Sequence, residues 1–207
     1  MLFYLVSVLF ALTALILLVV FAAINGETGA IVGFSIYGAA LVAFYIVRWI
    51  YVMTHSSRAI KSKLLKLDHV MIYLLTAATY TPVSLMLPDR VWGWTIFGVV
   101  WGLFLFGSIL RLTEKVDKKW TTLGVYSGLI VLDLVAFSVV HDFLTKKAVF
   151  WLSLGGASYL FETFIVVYRP KLSFLKGVDA YEKLALPFMI FASFSHFWAM
   201  LKHMILL

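Results

Sequence analysis

Cysteine is absent from the 207-residue chain, and charged side chains make up only 13% of it. The first absence excludes disulfides and thiolate metal sites. The second is the more informative, because 63% of the residues are hydrophobic and 17% aromatic. So little polar surface cannot cover a water-soluble globule. Internal repeats, low-complexity tracts and any stretch that would mark a second domain are also missing, as is a Ser or Cys nucleophile motif.

What is present is a series of seven apolar runs, at 2–24, 31–53, 67–87, 91–112, 120–140, 148–168 and 184–206. Each approaches the roughly 20 apolar residues that a helix needs to cross the hydrocarbon core. Backbone polar groups find no water there, and the runs lack the alternation of barrel strands, so helices are the consistent reading. The sequence predicts an all-α, seven-transmembrane helix bundle forming a single domain over residues 1–207, multi-pass in a cell membrane. The first run lacks a basic start and a small-residue cleavage site, so it is expected to remain in the mature protein.

Basic residues outnumber acidic ones by seventeen to ten. Thirteen of the seventeen fall in or beside the second, fourth and sixth gaps, leaving Arg90, Lys146, Lys147 and Lys202 for the other side. The positive-inside rule then places the N-terminus in the cytoplasm and the C-terminus outside. The formal net charge of +7 is thus a topology signal. No basic cluster sits on a soluble module, so nucleic acid is not an expected partner. The second gap, 54–66, mixes Ile60, Leu64 and Leu65 with four basic residues and reads either as a short interfacial amphipathic helix or as a solvated loop.

Several phrases are more specific. They are Ser35-Ile36-Tyr37-Gly38-Ala39-Ala40-Leu41, Leu67-Asp68-His69 followed by Thr79-Tyr80-Thr81-Pro82, Gly93-Trp94 with Trp101-Gly102-Leu103, and Gly155-Gly156-Ala157-Ser158-Tyr159. In this order and across nearly the whole chain, they resemble the bacterial hemolysin III family, related to the progestin and adipoQ receptors. The resemblance implies a seven-helix bundle with a zinc site near the cytoplasmic face, suited to hydrolysing a lipid amide or ester. In the wider superfamily, it implies, the ligands are one His on the second helix and two on the seventh, with an Asp on the third holding the metal-bound water.

Carried over position by position, that site is mostly missing. The second-helix Ser-x-x-x-His positions fall on Arg48 and Val52, the seventh-helix histidines on Glu182 and Leu186, and a first-helix Thr-His motif on Phe3 and Tyr4. Asp68 alone stands where the resemblance expects it. No metal or other cofactor is therefore expected. The alternative is a zinc held by Asp68, His69 and Glu182, with His55 as a further candidate, in a lipid amide hydrolase. His196 lies about 20 Å along the seventh helix from Glu182, beyond metal-ligand reach.

Arg48 suggests another arrangement. An intramembrane charge costs about 2.5–3.5 kcal/mol on insertion scales and usually finds a partner. A network of Arg48, Asp68 and Glu182 would hold the second, third and seventh helices where a metal would otherwise sit; the competing reading has Arg48 snorkel to the headgroups. Asp133 and Glu162 are intramembrane acids that read as a proton path or polar ligand contact, or as protonated or hydrogen-bonded packing groups. His141-Asp142 reads as a solvated helix end. Pro82 and Pro187 are expected to bend their helices, and Gly98, Gly102, Gly107 and Gly155-Gly156 to admit close helix contact. The functional expectation is a lipid-binding, sensing or regulatory membrane protein whose partner is a membrane lipid or fatty-acyl ligand.

Overall fold

Long apolar runs with few breakers become long helices. A computed structural model describes residues 2–25, 27–54, 58–113, 143–168 and 178–205, with positions 120, 124, 127–128 and 138–139 between them. Its helices are α1 (Leu2–Asn25), α2 (Thr28–Met53), α3 (Arg58–Met86), α4 (Arg90–Thr113), α5 (Lys146–Tyr168) and α6 (Val178–Met200), and a π-helical turn, Leu201–Ile205, continues α6. Among the described residues there are no strands. Five helical segments, Phe3–Asn25, Thr28–Met53, Arg90–Thr113, Lys146–Ile165 and Leu184–Ile205, are long and apolar enough to cross a membrane. α3 is long enough too, but its Asp, His, Thr and Tyr side chains dilute its hydropathy. The expected fifth span, 120–140, lies largely outside the described residues.

The chain divides into two compact units, Met1–Phe143 and Leu144–Leu207. In the first, α1 packs on α2, α2 on α3 and α3 on α4; in the second, α5 packs on α6 and on the π-helical turn. The short turn before α4 is fixed by Asp89, whose Oδ1 accepts from the Val91 and Trp92 backbone N–H groups at 2.9 and 3.2 Å. This satisfies donors that the first turn of a helix leaves open.

The first unit leaves much apolar surface on its outside, as a membrane protein does. Large apolar side chains point outward, Phe3, Ile24 and Val91 at 69%, 72% and 77% exposure. Ala11, Ala14, Phe34, Tyr37, Phe44 and Tyr45 fill the interior. Lipid tails are as apolar as leucine, so large apolar side chains occur both inside and outside, and the closest backbone approaches fall to small residues. Gly33 of α2 is such a contact: a Cβ there would lie 2.5 Å from the Pro82 Cα on α3. The helix runs on through Pro82, whose missing N–H is tolerated where a neighbour packs against the break.

Two expectations need correction. Residues 58–66 form neither a separate interfacial helix nor a loop, since α3 begins at Arg58 and continues unbroken through Asp68. Its apolar residues keep the helical spacing of the span that follows, so nothing ends the helix between them. Among the described residues Gly98 and Gly102 meet no heavy atom within 4 Å of where a Cβ would stand, because α4 turns Ile96, Val100 and Gly107 toward its described neighbours instead.

Candidate functional site

Arg48 lies five residues before the end of α2, and Asp68 lies ten after the start of α3. Few residues separate the two helices in sequence, so antiparallel packing of α2 on α3 brings the two to one level. The Arg48 Nη1 donates to Asp68 Oδ2 at 2.5 Å, with side chains only 4% and 0% exposed. Arg48 therefore turns inward rather than snorkelling to the headgroups, because a desolvated guanidinium gains more from a carboxylate one helix away. Its neighbours on α2, Tyr45 and Tyr51, are buried with it. Beyond Tyr51 the Lys61 Nζ stands 5.6 Å from that ring's centroid, close enough for a cation–π contact.

His69 is buried beside Asp68 but serves its own helix. Its Nδ1 lies 2.7 Å from the Leu65 carbonyl oxygen, which can only accept, so Nδ1 carries the proton. The third-helix hydroxyls are occupied in the same way: Thr76, Thr79 and Thr81 donate to the carbonyls of Ile72, Leu75 and Ala77 at 2.8–2.9 Å. Thr81 also accepts from the Trp101 Nε1 of α4 at 3.2 Å. These groups join and satisfy helices.

Glu182 belongs to α6 in the second unit, and its side chain lies outside the described residues. The pair Arg48–Asp68 is thus the described part of the expected three-residue network. His55, Asp133, His141 and Asp142 also lie outside the described residues. Among the described residues no three His, Asp or Glu side chains gather closely enough to hold a metal ion.

The second unit has a polar cluster of its own. Glu162 of α5 is 3% exposed, and the Thr163 Oγ1 lies 3.4 Å from its Oε2. One turn earlier, the Tyr159 hydroxyl and the Ser193 Oγ of α6 are 2.6 Å apart. Ser193 donates its own proton to the Met189 carbonyl at 3.0 Å, which leaves Tyr159 as the donor to Ser193. Next to them the His196 Nε2 meets the Leu152 carbonyl at 3.1 Å, so Nε2 carries the proton and Nδ1 is a bare acceptor. The ring fits because residue 155 is glycine; a Cβ there would fall on the imidazole. The sequence places His196 inside the last span without revealing this niche. The signals that point to it are the Gly155-Gly156 pair and a lone intramembrane histidine.

A family model described as "Haemolysin-III related" matches residues 2–183. The chain belongs to this family. Hemolysin-3 of Bacillus cereus is 29% identical over 156 residues, covering 74% of this chain and 70% of the relative. The hemolysin-3 homolog of Bacillus subtilis (strain 168) is 30% identical over 168 residues, covering 79% and 76%. No solved structure matches. With five apolar membrane-length segments among its described residues, this haemolysin-III relative is an integral, multi-pass membrane protein.

Proposed function

We propose that this haemolysin-III relative is a lipid-binding, regulatory membrane protein without hydrolytic chemistry, and that the Arg48–Asp68 ion pair takes the structural place of a metal centre. The observation that carries the reading is the guanidinium on Asp68 Oδ2 at 2.5 Å. A guanidinium does not lose its proton inside a protein. A zinc ion drawing on Asp68 would therefore have to displace a permanent cation or bear its repulsion at hydrogen-bond distance. The positions of the three expected histidines carry Val52, Glu182 and Leu186, and valine and leucine offer a metal no lone pair. An ion pair can tie α2 to α3, but it supplies neither the Lewis acid nor the acidified water that metal-dependent amide hydrolysis requires. What remains is a helix bundle whose apolar exterior meets acyl chains.

Metal analysis of the purified full-length protein, paired with a lipid-amide hydrolysis assay, tests this reading. Zinc well below one per chain and no hydrolysis are expected. One zinc per chain, lost together with activity in Asp68→Ala, would overturn the proposal in favour of a metal-dependent lipid amide hydrolase.

A further inference from the structure

The start of α3 carries an inference that is independent of the metal question. α3 has 29 residues, which makes it about 43 Å long at 1.5 Å per residue, against a hydrocarbon core of about 30 Å. Its far end closes at once into the turn before α4, so the excess belongs to residues 58–66. That segment does not behave as a solvated spacer. Ile60 and Leu67 are 47% and 38% exposed, with Leu64 half-buried between them. The i, i+4, i+7 spacing puts all three on one outward face. At 100° per residue Lys61 and Lys63 fall on opposite flanks of that stripe, with Lys66 one turn further along. Lys61 is held in place over the buried Tyr51 ring at 5.6 Å, whereas Lys63 is exposed. The sequence from 54 to 67 contains no Asp or Glu.

An apolar strip continuous with a membrane span and bordered by lysines matches one ligand in both halves: acyl chain on the strip, phosphate at the lysines. We propose that the overhanging turns of α3 bind an anionic phospholipid of the leaflet in which α3 begins. Its chain runs inward along Leu64 and Leu67, and its phosphate is held by Lys63 with Lys66 one turn along the same flank, while Lys61 over the Tyr51 ring adds positive charge on the other flank. Each lysine near an anionic membrane surface strengthens attachment about fivefold.

Native mass spectrometry of the full-length protein in detergent, titrated with phosphatidylglycerol or with phosphatidylcholine of the same acyl chains, reads this out. The wild type is expected to retain one phosphatidylglycerol in preference to phosphatidylcholine. Lys61→Gln/Lys63→Gln/Lys66→Gln is expected to lose that preference by roughly tenfold or more, and Lys63→Gln alone by about fivefold. The exposed single substitution keeps the test open if the triple variant folds poorly. Lys146→Gln/Lys147→Gln/Lys202→Gln, which removes the same charge elsewhere, is expected to retain the preference. The proposal fails if the wild type does not discriminate between the lipids, if Lys63→Gln binds like the wild type, or if both triple variants lose equally, which would reveal diffuse charge attraction. Displacement of the lipid by glycerol 3-phosphate alone would also overturn it, by making the ligand a soluble anion.

Discussion

The two units join neighbouring helices by opposite means. Between α2 and α3 the tie is a pair of full charges, Arg48 and Asp68, removed almost completely from solvent. Between α5 and α6 it is a neutral clasp, in which His196 meets the Leu152 carbonyl, Tyr159 meets Ser193, and Gly155 makes room for the ring. An ion pair stands or falls with both partners, because each charge is tolerable only while the other is present. A neutral clasp fails gradually, since each lost hydrogen bond is small and the rest is shape. The difference is therefore one of coupling as well as strength.

The sharpest way to break the comparison is Arg48→Ala. It removes the guanidinium bonded to the buried Asp68 Oδ2 and is expected to destabilise the protein by about 3–5 kcal/mol, read as a fall in thermal unfolding temperature in detergent. Removing both charges with Arg48→Met and Asp68→Leu is expected to restore stability to near the wild-type value or above it. A double variant as unstable as the single one would show that the pair is not an isolated tie. Gly155→Ala comes next, at about 1–3 kcal/mol, because the added methyl forces the imidazole or the helix aside. Adding His196→Ala is expected to relieve most of that cost, a non-additivity that belongs to direct contact; simple additivity of the two would place the clash elsewhere. The smallest effect is expected from Ser193→Ala, about 0.6 kcal/mol and at most about 1.7, as for single hydrogen bonds between membrane helices. A loss as large as that of Arg48→Ala would erase the distinction between the two ties.

Much of this was legible in the chain. Apolar run length gives α1, α2, α4, α5 and α6 within a few residues at most ends, because in hydrocarbon a backbone can satisfy itself in few ways. Arg48 and Asp68 were readable as neighbours because only 20 residues separate them, on consecutive antiparallel helices. His196 and Leu152 are 44 residues apart, and their meeting depends on how two helices are rotated about their axes. Periodicity is silent on that rotation when nearly every face is apolar. For the same reason Gly98 and Gly102 suggested a helix contact that the described residues do not make, while Gly33 and Gly155 provide close approaches. The start of α3 was misjudged because lysines beside leucines suit a loop, an interfacial helix and an extended span equally.

Composition and run length by themselves determined that this chain lives in a bilayer as a set of helices, since too few polar groups exist to face water and no other backbone form is self-sufficient in lipid. Only the tertiary structure decided which intramembrane polar groups meet: Arg48 turned to Asp68 instead of the headgroups, and His196 entered the space left by Gly155. Chain separation made Arg48 and Asp68 candidate partners, but the final choice depends on helix rotation, and a bilayer that treats all apolar faces alike leaves no record of that in the sequence.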